Sequence, residues 1–278
     1  PAGRCTRIAP PMNPPAHKLS VVLPAYNEAL RLPRYLAELR AYLEMRPDLS
    51  GEVIVVDDGS EDGLDRAIEA PLATWPALRL VRHDRNQGKG AAVRTGMLAA
   101  RGDVILFADA DGATPIAEEA VLRAAIDAGA DVAIGSRLID DPAARRRRRW
   151  GRAISGRLFA AVARWMFGLA ARDTQCGFKM FRREAAREIF GRLGETGFLF
   201  DLEVLALASR LGYRVVEAPI DWTEIAGGHF HPWRAWPGVL AGLWRLRRRL
   251  ARCRLGAAGD GEPQRGTGAQ PPGPSCAP

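Results

Sequence analysis

The chain of 278 residues has few cysteines, few lysines and no long apolar run. Its four cysteines are scattered, without a C-x-x-C pair or a histidine at ligand spacing, which argues against a disulfide framework and a structural zinc site. No stretch reaches the roughly 18 uninterrupted apolar residues that a membrane-spanning helix needs. The N-terminus carries prolines and no hydrophobic signal core, so export is not indicated. These absences predict a cytoplasmic protein with reduced thiols.

Acidic residues are outnumbered by basic ones, 32 to 40, which gives a formal net charge of +8. Only three of the forty basic residues are lysines, so the excess is carried by arginine. A basic protein is attracted to phosphate, whether on nucleic acid, on nucleotide sugars or on anionic lipid. No nucleic-acid-binding motif with interleaved aromatic residues is visible, which leaves a nucleic-acid-binding module as a distant alternative.

The composition divides the chain into three parts. Residues 1–17 are rich in proline, and residues 253–278 are rich in glycine, proline and alanine without periodicity, which predicts a flexible leader and a disordered tail. With 47% hydrophobic residues overall, the chain has enough apolar side chains for a substantial core. We therefore expect residues 18–252 to form one folded domain.

In the first half of this domain, short apolar runs alternate with amphipathic segments. Strands are predicted at Leu19–Leu23, Val53–Val56, Leu78–Arg82, Asp103–Ala108 and Asp131–Gly135. Helices are predicted at Leu30–Met45, Glu61–Ala70, Gly88–Ala100 and Pro115–Ala128. This alternation predicts an α/β fold with a mostly parallel sheet flanked by helices, in which ligands bind at the carboxyl ends of the strands.

The second half is richer in helix and in arginine. Helices are predicted at Ile154–Leu169, Arg183–Leu193, Phe200–Leu211 and Trp236–Arg252, and a strand at Arg214–Ala218. The stretch Asp173–Phe181 is predicted to be rich in turns. A run of five arginines, Arg145–Arg149, stands directly before Trp150.

Polar residues follow four successive predicted strands at the point where each strand ends. These segments are Pro24–Glu28, Asp57–Ser60, Asn86–Gly90 and Asp109–Asp111. Each alone is typical of a polar turn, but the carboxyl ends of parallel strands meet at one edge of a sheet. Acids, glycines and one lysine gathered at that edge indicate a nucleotide site.

Asp109 and Asp111 are two residues apart, so in extended backbone both carboxylates face the same side. Such oxygen ligands suit Mg²⁺ or Mn²⁺, which usually bind substrate phosphates as well. Lys89 lies between two glycines where a helix begins, a position that favours an anion. The spacing of a phosphate-binding G-x-x-x-x-G-K-[ST] loop and a G-x-G-x-x-G fingerprint are both missing, which weakens kinase, ATPase and dehydrogenase interpretations.

The ordered segments VVLPAYNEA, VIVVDDGSEDG, NQGKGAAVRTGM, ILFADADGAT, GSR, DTQCGFKMF and FLFDLEVL resemble family 2 glycosyltransferases. Within that family they are most similar to dolichyl-phosphate β-glucosyltransferases and bacterial polyprenyl-phosphate relatives, from about residue 19 to 250. The resemblance implies a GT-A fold, a UDP-sugar donor, a divalent ion and a lipid-phosphate acceptor. It divides the domain into a nucleotide-binding half, residues 18–136, and an acceptor half with amphipathic helices, residues 137–252. Eukaryotic members begin with a membrane-spanning helix that this sequence does not show, so a bacterial or peripheral variant is expected.

The resemblance also assigns donor-side residues. Asp111 is expected to bind the metal, together with Asp109, which also contacts the ribose or the sugar. The metal would offset the negative charge of the departing diphosphate. The remaining residues of the nucleotide-sugar site are Pro24, Tyr26, Glu28, Asp57, Asp58 and Lys89.

On the acceptor side, the chemistry sets modest requirements. The acceptor phosphate is already anionic, so it can attack without a general base, and cations are needed to hold the two phosphate-bearing partners in line. Arg137 is the first candidate to bind the acceptor phosphate, and either Asp173 or Asp201 acts as a base or orients the sugar. Direct attack would invert an α linkage to β. GDP-mannose as donor, or a soluble glycan as acceptor, is the alternative.

The basic features of the second half suggest a membrane surface as a further partner. Arg145–Arg149 with Trp150, the Ile154–Leu169 helix and the Trp236–Arg252 helix are interpreted as anchors on an anionic surface at the inner face of the membrane. In the alternative interpretation, Ile154–Leu169 is ordinary core and the arginines form a solvated face.

Overall fold

The computed structural model describes residues 18–49, 51–139, 146–147, 164–223, 225 and 232–252, with the backbone alone for 146–147, 232–240 and 252. The predicted leader and tail lie outside the described residues, as do Trp150 and all but the backbone of residues 146–147 of the arginine run. The predicted Ile154–Leu169 helix also lies largely outside them. Its end is described, and residues 164–167 are helical.

The described strands are β1 Leu19–Ala25, β2 Gly51–Asp57, β3 Leu78–Arg82, β4 Val104–Ala108, β5 Val132–Ser136, β6 Arg146–Arg147, β7 Phe178–Arg182, β8 Val215–Pro219 and β9 Trp222–Thr223. Seven of them form one sheet in the order β3-β2-β1-β4-β7-β5-β8, and a small parallel ribbon joins β6 to β9. All neighbours in the large sheet are parallel except β7, which runs antiparallel to both β4 and β5.

The helices cover the sheet and largely follow the predicted positions. They are α1 Leu32–Glu44, α2 Leu64–Ala67, α3 Glu69–Thr74, α4 Lys89–Ala99, α5 Glu119–Asp127, α6 Arg183–Arg192, α7 Phe200–Arg210 and α8 Pro232–Arg252, with a 3₁₀ turn at Ile116–Glu118. The single helix predicted over Glu61–Ala70 is two short helices, and the last helix begins earlier than predicted. No helix in the described ranges is both long and apolar enough to cross a lipid bilayer.

The prediction of turns up to Phe181 was wrong, because Phe178–Arg182 is strand β7 at the centre of the sheet. Its residues are buried on both faces, as expected for a central strand, but Lys179 interrupts the apolar run. A lysine is rarely buried unless it is paired, and this one is hydrogen-bonded to Asp201. Asp201, the partner that allows a lysine in this strand, lies 22 residues away, so the sequence around Lys179 gives no sign of it.

Helix α4 packs closely on the parallel strands because it presents a glycine to them. A Cβ atom at Gly96 would lie 2.3 Å from Val22 Cγ1 of β1 and 3.0 Å from Val56 Cγ2 of β2. Both valines are fully buried, and their branched side chains have little rotamer freedom. The close approach keeps the beginning of α4, which carries Lys89, near the carboxyl ends of β1 and β2.

We expect Gly96→Ala to lower the free energy of unfolding by about 1 kcal/mol, since overpacking outweighs the gain in helix propensity. Gly191→Ala near the end of α6 is the matched control, because a Cβ there meets nothing within 4 Å. Urea unfolding monitored by circular dichroism measures both changes. A Gly96→Ala protein as stable as the Gly191→Ala protein would contradict the packing argument.

Candidate active site

The loops after β1 and β2 are joined by hydrogen bonds at the carboxyl edge of the sheet. Asn27 donates its backbone N–H to Ser60 Oγ (2.9 Å), and its side-chain oxygen accepts from the Glu61 backbone N–H (3.0 Å). Asn27 adopts φ of 55°, a left-handed conformation that asparagine tolerates. These bonds fix the segment that holds Pro24, Tyr26 and Glu28.

The three residues of this segment that the sequence analysis selected differ in exposure. Pro24 is buried within β1 and pairs with Val56 of β2. The Tyr26 side chain is 45% exposed, which leaves it available to a ligand. Glu28 is partly buried and forms an ion pair with Arg31, whose Nε lies 2.6 Å from Glu28 Oε2.

Asp57 and Asp58 are both buried at the end of β2 but face different partners. Asp57 Oδ1 accepts the Ser60 backbone N–H (2.8 Å), and Oδ2 lies 3.4 Å from Arg82 Nε. Among the described residues, Asp57 Oδ2 accepts no hydrogen bond.

Asp58 holds the loop that leads into α4. Its carboxylate accepts the backbone N–H groups of Gln87 (2.9 Å) and Gly88 (2.8 Å), and Oδ1 lies 2.7 Å from His83 Nδ1. Both carboxylate oxygens are thus engaged within the protein. Asp58 therefore shapes the loop beside Lys89.

Beyond β4 lie the carboxylates of Asp109, Asp111 and Glu28 and the ammonium of Lys89. Lys89 Nζ lies 2.7 Å from Asp109 Oδ1, while Asp111 Oδ1 accepts the Ala113 backbone N–H (3.0 Å). The pKa of Asp111 is raised, mainly by burial and next by the charge of Asp109. The pKa of Glu28 is also raised, mainly by burial, and the charges of Asp111 and Asp109 add to the rise. Burial alone would lower the pKa of Lys89, but the surrounding carboxylates raise it overall. Negative charge is therefore concentrated at this point.

Glycines line the walls of this crevice. A Cβ at Gly177, just before β7, would lie 2.0 Å from Asp109 Oδ2, and the Gly177 carbonyl accepts the Asp109 backbone N–H (2.9 Å). On the other side, a Cβ at Gly88 or Gly90 would lie 2.4 Å from the Thr196 carbonyl oxygen or 2.5 Å from the Glu195 carbonyl oxygen. The backbone can approach Asp109 and Lys89 closely because these positions lack side chains.

Arg137 and Asp173 form a bidentate ion pair after β5. Arg137 donates Nε to Asp173 Oδ2 and Nη2 to Oδ1, both at 2.8 Å, and its guanidinium lies 5.3 Å from the centroid of the Trp222 ring. Burial would raise the pKa of Asp173, but the Arg137 guanidinium lowers it overall. The backbone N–H of Asp173 in turn donates to Glu217 (2.8 Å). Asp173 is therefore ionised and fully engaged.

Asp201 is buried at the first turn of α7, where Lys179 Nζ donates to its Oδ1 at 2.5 Å. Burial raises the pKa of Asp201, and the charges of Lys179 and Lys89 oppose that rise. Among the acidic residues predicted for the site, Asp111 alone has no basic partner at ion-pair distance in the described part of the chain.

The sequence analysis missed Gly177, Lys179, Trp222 and Glu217. Two of them lie inside the motif DTQCGFKMF, which was noticed as a whole without roles for its glycine and lysine. Trp222 and Glu217 stand outside the quoted motifs. Glu217 lies on β8 and is brought to Asp173 by the pairing of β5 with β8, and Trp222 follows on β9. For Lys179, only its position within a buried motif could have indicated its importance.

The chemistry of this crevice fits a divalent cation shared with a ligand. No cluster of three or more acidic, histidine or cysteine residues suited to hold a metal by itself occurs among the described residues. Asp109 and Asp111 supply carboxylate oxygens, and the uncompensated charge lies at Asp111. Mg²⁺ and Mn²⁺ sites of this kind use one or two carboxylates and complete their coordination with substrate phosphates and water.

Solved structures share the fold of this chain, among them the following two. The mannosyltransferase PcManGT from Pyrobaculum calidifontis, in complex with GDP-Man and Mn²⁺, aligns with a TM-score of 0.58 at 22% identity over 88% of this chain and 66% of that chain, just under two thirds. Glucosyl-3-phosphoglycerate synthase from Mycobacterium tuberculosis, in complex with Mn²⁺ and UDP-glucose, aligns with a TM-score of 0.62 at 19% identity over 83% of this chain and 79% of that chain. The predicted α/β fold of GT-A type is confirmed.

Sequence comparison identifies the family. A dolichyl-phosphate beta-glucosyltransferase of Drosophila melanogaster is 39% identical over 256 residues, which cover 84% of this chain and 78% of that protein. Residues 20–190 match the glycosyl transferase family 2 domain, which contains the Asp109–Asp111 segment, Lys89 and the Arg137–Asp173 pair. The resemblance indicated by the sequence motifs is thus confirmed, and the chain belongs to glycosyl transferase family 2.

Proposed function

We propose that this enzyme transfers glucose from UDP-glucose to dolichyl phosphate or a related polyprenyl phosphate, and forms a β-glucosyl lipid phosphate. The observation that carries the proposal is the 39% identity, over 84% of the chain, to a protein named dolichyl-phosphate beta-glucosyltransferase. An oxygen of the acceptor phosphate attacks C1 of the sugar, and the bond from C1 to the diphosphate breaks with both electrons leaving on UDP. Attack from the opposite face converts the α linkage of the donor to β.

The loops after β1 and β2 are proposed to hold the uridine of the donor. The exposed Tyr26 ring offers a face for the base, and Asp57 Oδ2 retains capacity to accept a hydrogen bond. Pro24 and Glu28 complete this wall. Asp58 contributes indirectly, because it holds the loop of Gln87 and Gly88 in front of α4.

Asp109 and Asp111 are proposed to hold Mg²⁺ or Mn²⁺ together with the donor diphosphate. Such an ion, when bound, stabilises the negative charge that develops on the leaving group. Lys89 supplies a second cation from the protein itself, since its ammonium lies beside Asp109 at the beginning of α4. A diphosphate would then meet the Lys89 ammonium and the positive end of the α4 dipole.

The acceptor phosphate is proposed to bind at Arg137, whose guanidinium is held by both oxygens of Asp173 and lies 5.3 Å from the centroid of the Trp222 ring. Because both oxygens of Asp173 are engaged, and Asp201 is paired with Lys179, we assign both acids an orienting role. An anionic phosphate needs no proton removed before it attacks, so the reaction does not require either acid to act as a base.

Helix α8 is proposed to dock on an anionic membrane surface at the cytoplasmic face. Its Leu243, Leu246 and Leu250 are buried against the domain, while Arg245, Arg247 and Arg248 are exposed. Trp244 is 53% exposed and lies under Arg248, whose guanidinium is 3.4 Å from the ring centroid. Exposed arginines beside an indole ring are typical of a helix that lies at the boundary of lipid headgroups and acyl chains.

We expect full-length protein to form glucosyl polyprenyl phosphate from UDP-glucose in the presence of Mn²⁺, and not from GDP-mannose. A screen of UDP- and GDP-sugars against a polyprenyl phosphate and against soluble glycans, read by mass spectrometry, tests donor and acceptor together. Product from GDP-mannose alone would overturn the assignment of the donor. Transfer only to a glycan would overturn the assignment of the acceptor.

We expect Asp111→Asn to reduce kcat by roughly a hundredfold or more, because it removes the uncompensated charge that would retain the metal. Asp103→Asn is the matched control, since Asp103 lies just before β4 at the opposite edge of the sheet and pairs with Arg183. The Asp103 variant should keep its turnover. Initial rates at fixed Mn²⁺ measure both, and near-normal turnover of Asp111→Asn would show that the metal binds elsewhere.

We expect the triple variant Arg245→Gln, Arg247→Gln and Arg248→Gln to bind anionic liposomes up to roughly a hundredfold more weakly, at about 1 kcal/mol per arginine. Transfer to a long polyprenyl phosphate in vesicles should fall, while transfer to a short, water-soluble acceptor phosphate should not. The control removes the same charge from other exposed positions: Arg34, Arg187 and Arg192. An equal loss of liposome binding in the α8 triple variant and in the control triple variant would contradict a docking role for α8.

A further inference from the structure

Lys179 is an ammonium group buried in the middle of the sheet. It lies on β7, opposite Phe107 of β4, and its residue is 1% exposed. Its Nζ donates to Asp201 Oδ1 and to the Cys176 carbonyl oxygen, both at 2.5 Å, and lies 5.8 Å from the centroid of the Phe107 ring. The ammonium is thus fully partnered away from water.

A second lysine, Lys89, also lies near the Phe107 ring. Lys89 Nζ lies 5.6 Å from the centroid of Phe107, and 2.7 Å from Asp109 Oδ1. Asp201 lies near Lys89, because the residues next to them are in close contact: a Cβ at Gly90 would lie 2.7 Å from Phe200 Cβ. The charges of both lysines accordingly oppose the rise in the pKa of Asp201 that burial causes. Charges therefore alternate in sign from the buried Lys179 through Asp201 and Lys89 to Asp109, and only the last two side chains reach solvent, at 26% and 35% exposure.

A buried ion pair is weak evidence of stabilisation, because desolvation of its two charges offsets their attraction. Apolar residues of similar volume would fill the same space between β7 and α7 at little cost. The pair does one thing that apolar residues would not do: it neutralises Asp201, a carboxylate near Lys89. Without Lys179, Asp201 would be an unpaired buried carboxylate, and Lys89 is the other lysine whose charge acts on it.

We propose that Lys179 is a positioning residue that occupies Asp201 and thereby leaves Lys89 directed toward Asp109 and the donor diphosphate. This inference rests on the proposed function, since it assumes that Lys89 meets a diphosphate. Lys179 itself does not touch the substrate. Its effect passes through Asp201 to Lys89.

The test measures the dissociation constant of UDP with Mn²⁺ by calorimetry on the full-length protein. Lys179→Met should weaken UDP binding roughly ten- to hundredfold, because Lys89 turns toward Asp201 and a charged hydrogen bond to the diphosphate is lost. The double variant Lys179→Met with Asp201→Asn should recover most of the affinity. In a Lys89→Met background, Lys179→Met should have no further effect. If Lys179→Met does not fold, Lys179→Gln, which keeps a donor toward Asp201, takes its place.

Arg123→Met is the control for a general loss of stability. Arg123 is also buried, and its Nε donates to Glu119 Oε2 at 3.2 Å within α5, so the variant removes a buried ion pair outside the crevice. It should lower the melting temperature and leave UDP affinity unchanged. Wild-type affinity in a folded Lys179 variant, or no recovery in the double variant, would overturn the positioning role alone. Failure of the wild-type protein to bind UDP would overturn the proposed function as well.

Discussion

Charge buried at the edge of an apolar sheet has to be paired, and this requirement organises the crevice. Asp109 with Lys89, Asp173 with Arg137 and Asp201 with Lys179 are each held at 2.5–2.8 Å. Each pair joins two segments that are separated in sequence, so the pairs also hold those segments together at the crevice. Asp111 is left without a basic partner in the described part of the chain, and a metal cation bound together with the substrate would neutralise its charge.

Hydrogen bonds to the backbone and a glycine hold the loops that carry these pairs. Asp58 holds the loop before α4 with two backbone N–H groups, and Asn27 connects the loops after β1 and β2. Gly177 lets β7 pass directly against the Asp109 carboxylate. The charged side chains can therefore be positioned by rigid loops at the end of a buried sheet, an arrangement that favours a preorganised site.

Much of the fold could be predicted because continuous apolar strands and amphipathic helices leave local patterns. The carboxyl-edge rule also predicted that Lys89 and Asp109 lie together, and the structure places them in contact. The rule fails at β7, because an antiparallel strand brings its beginning, not its end, to that edge. The contributions of Gly177 and of Asp173 therefore precede the strand. Lys179 was unpredictable from local sequence, since its partner is supplied by another helix.

The contrast between buried and exposed arginines has a consequence for the behaviour of the enzyme in salt. Mobile ions screen exposed charges over a Debye length of about 8 Å at physiological ionic strength, but screen buried pairs much less. Arg137 has only 26% of its side chain exposed and is paired with Asp173 beside Trp222, whereas Arg245, Arg247 and Arg248 of α8 face solvent. Rising ionic strength should therefore release α8 from an anionic surface well before it disturbs the crevice. Under the proposed docking of α8, ionic strength would thus separate residence on a lipid surface from the chemistry of transfer within a single, unmodified protein.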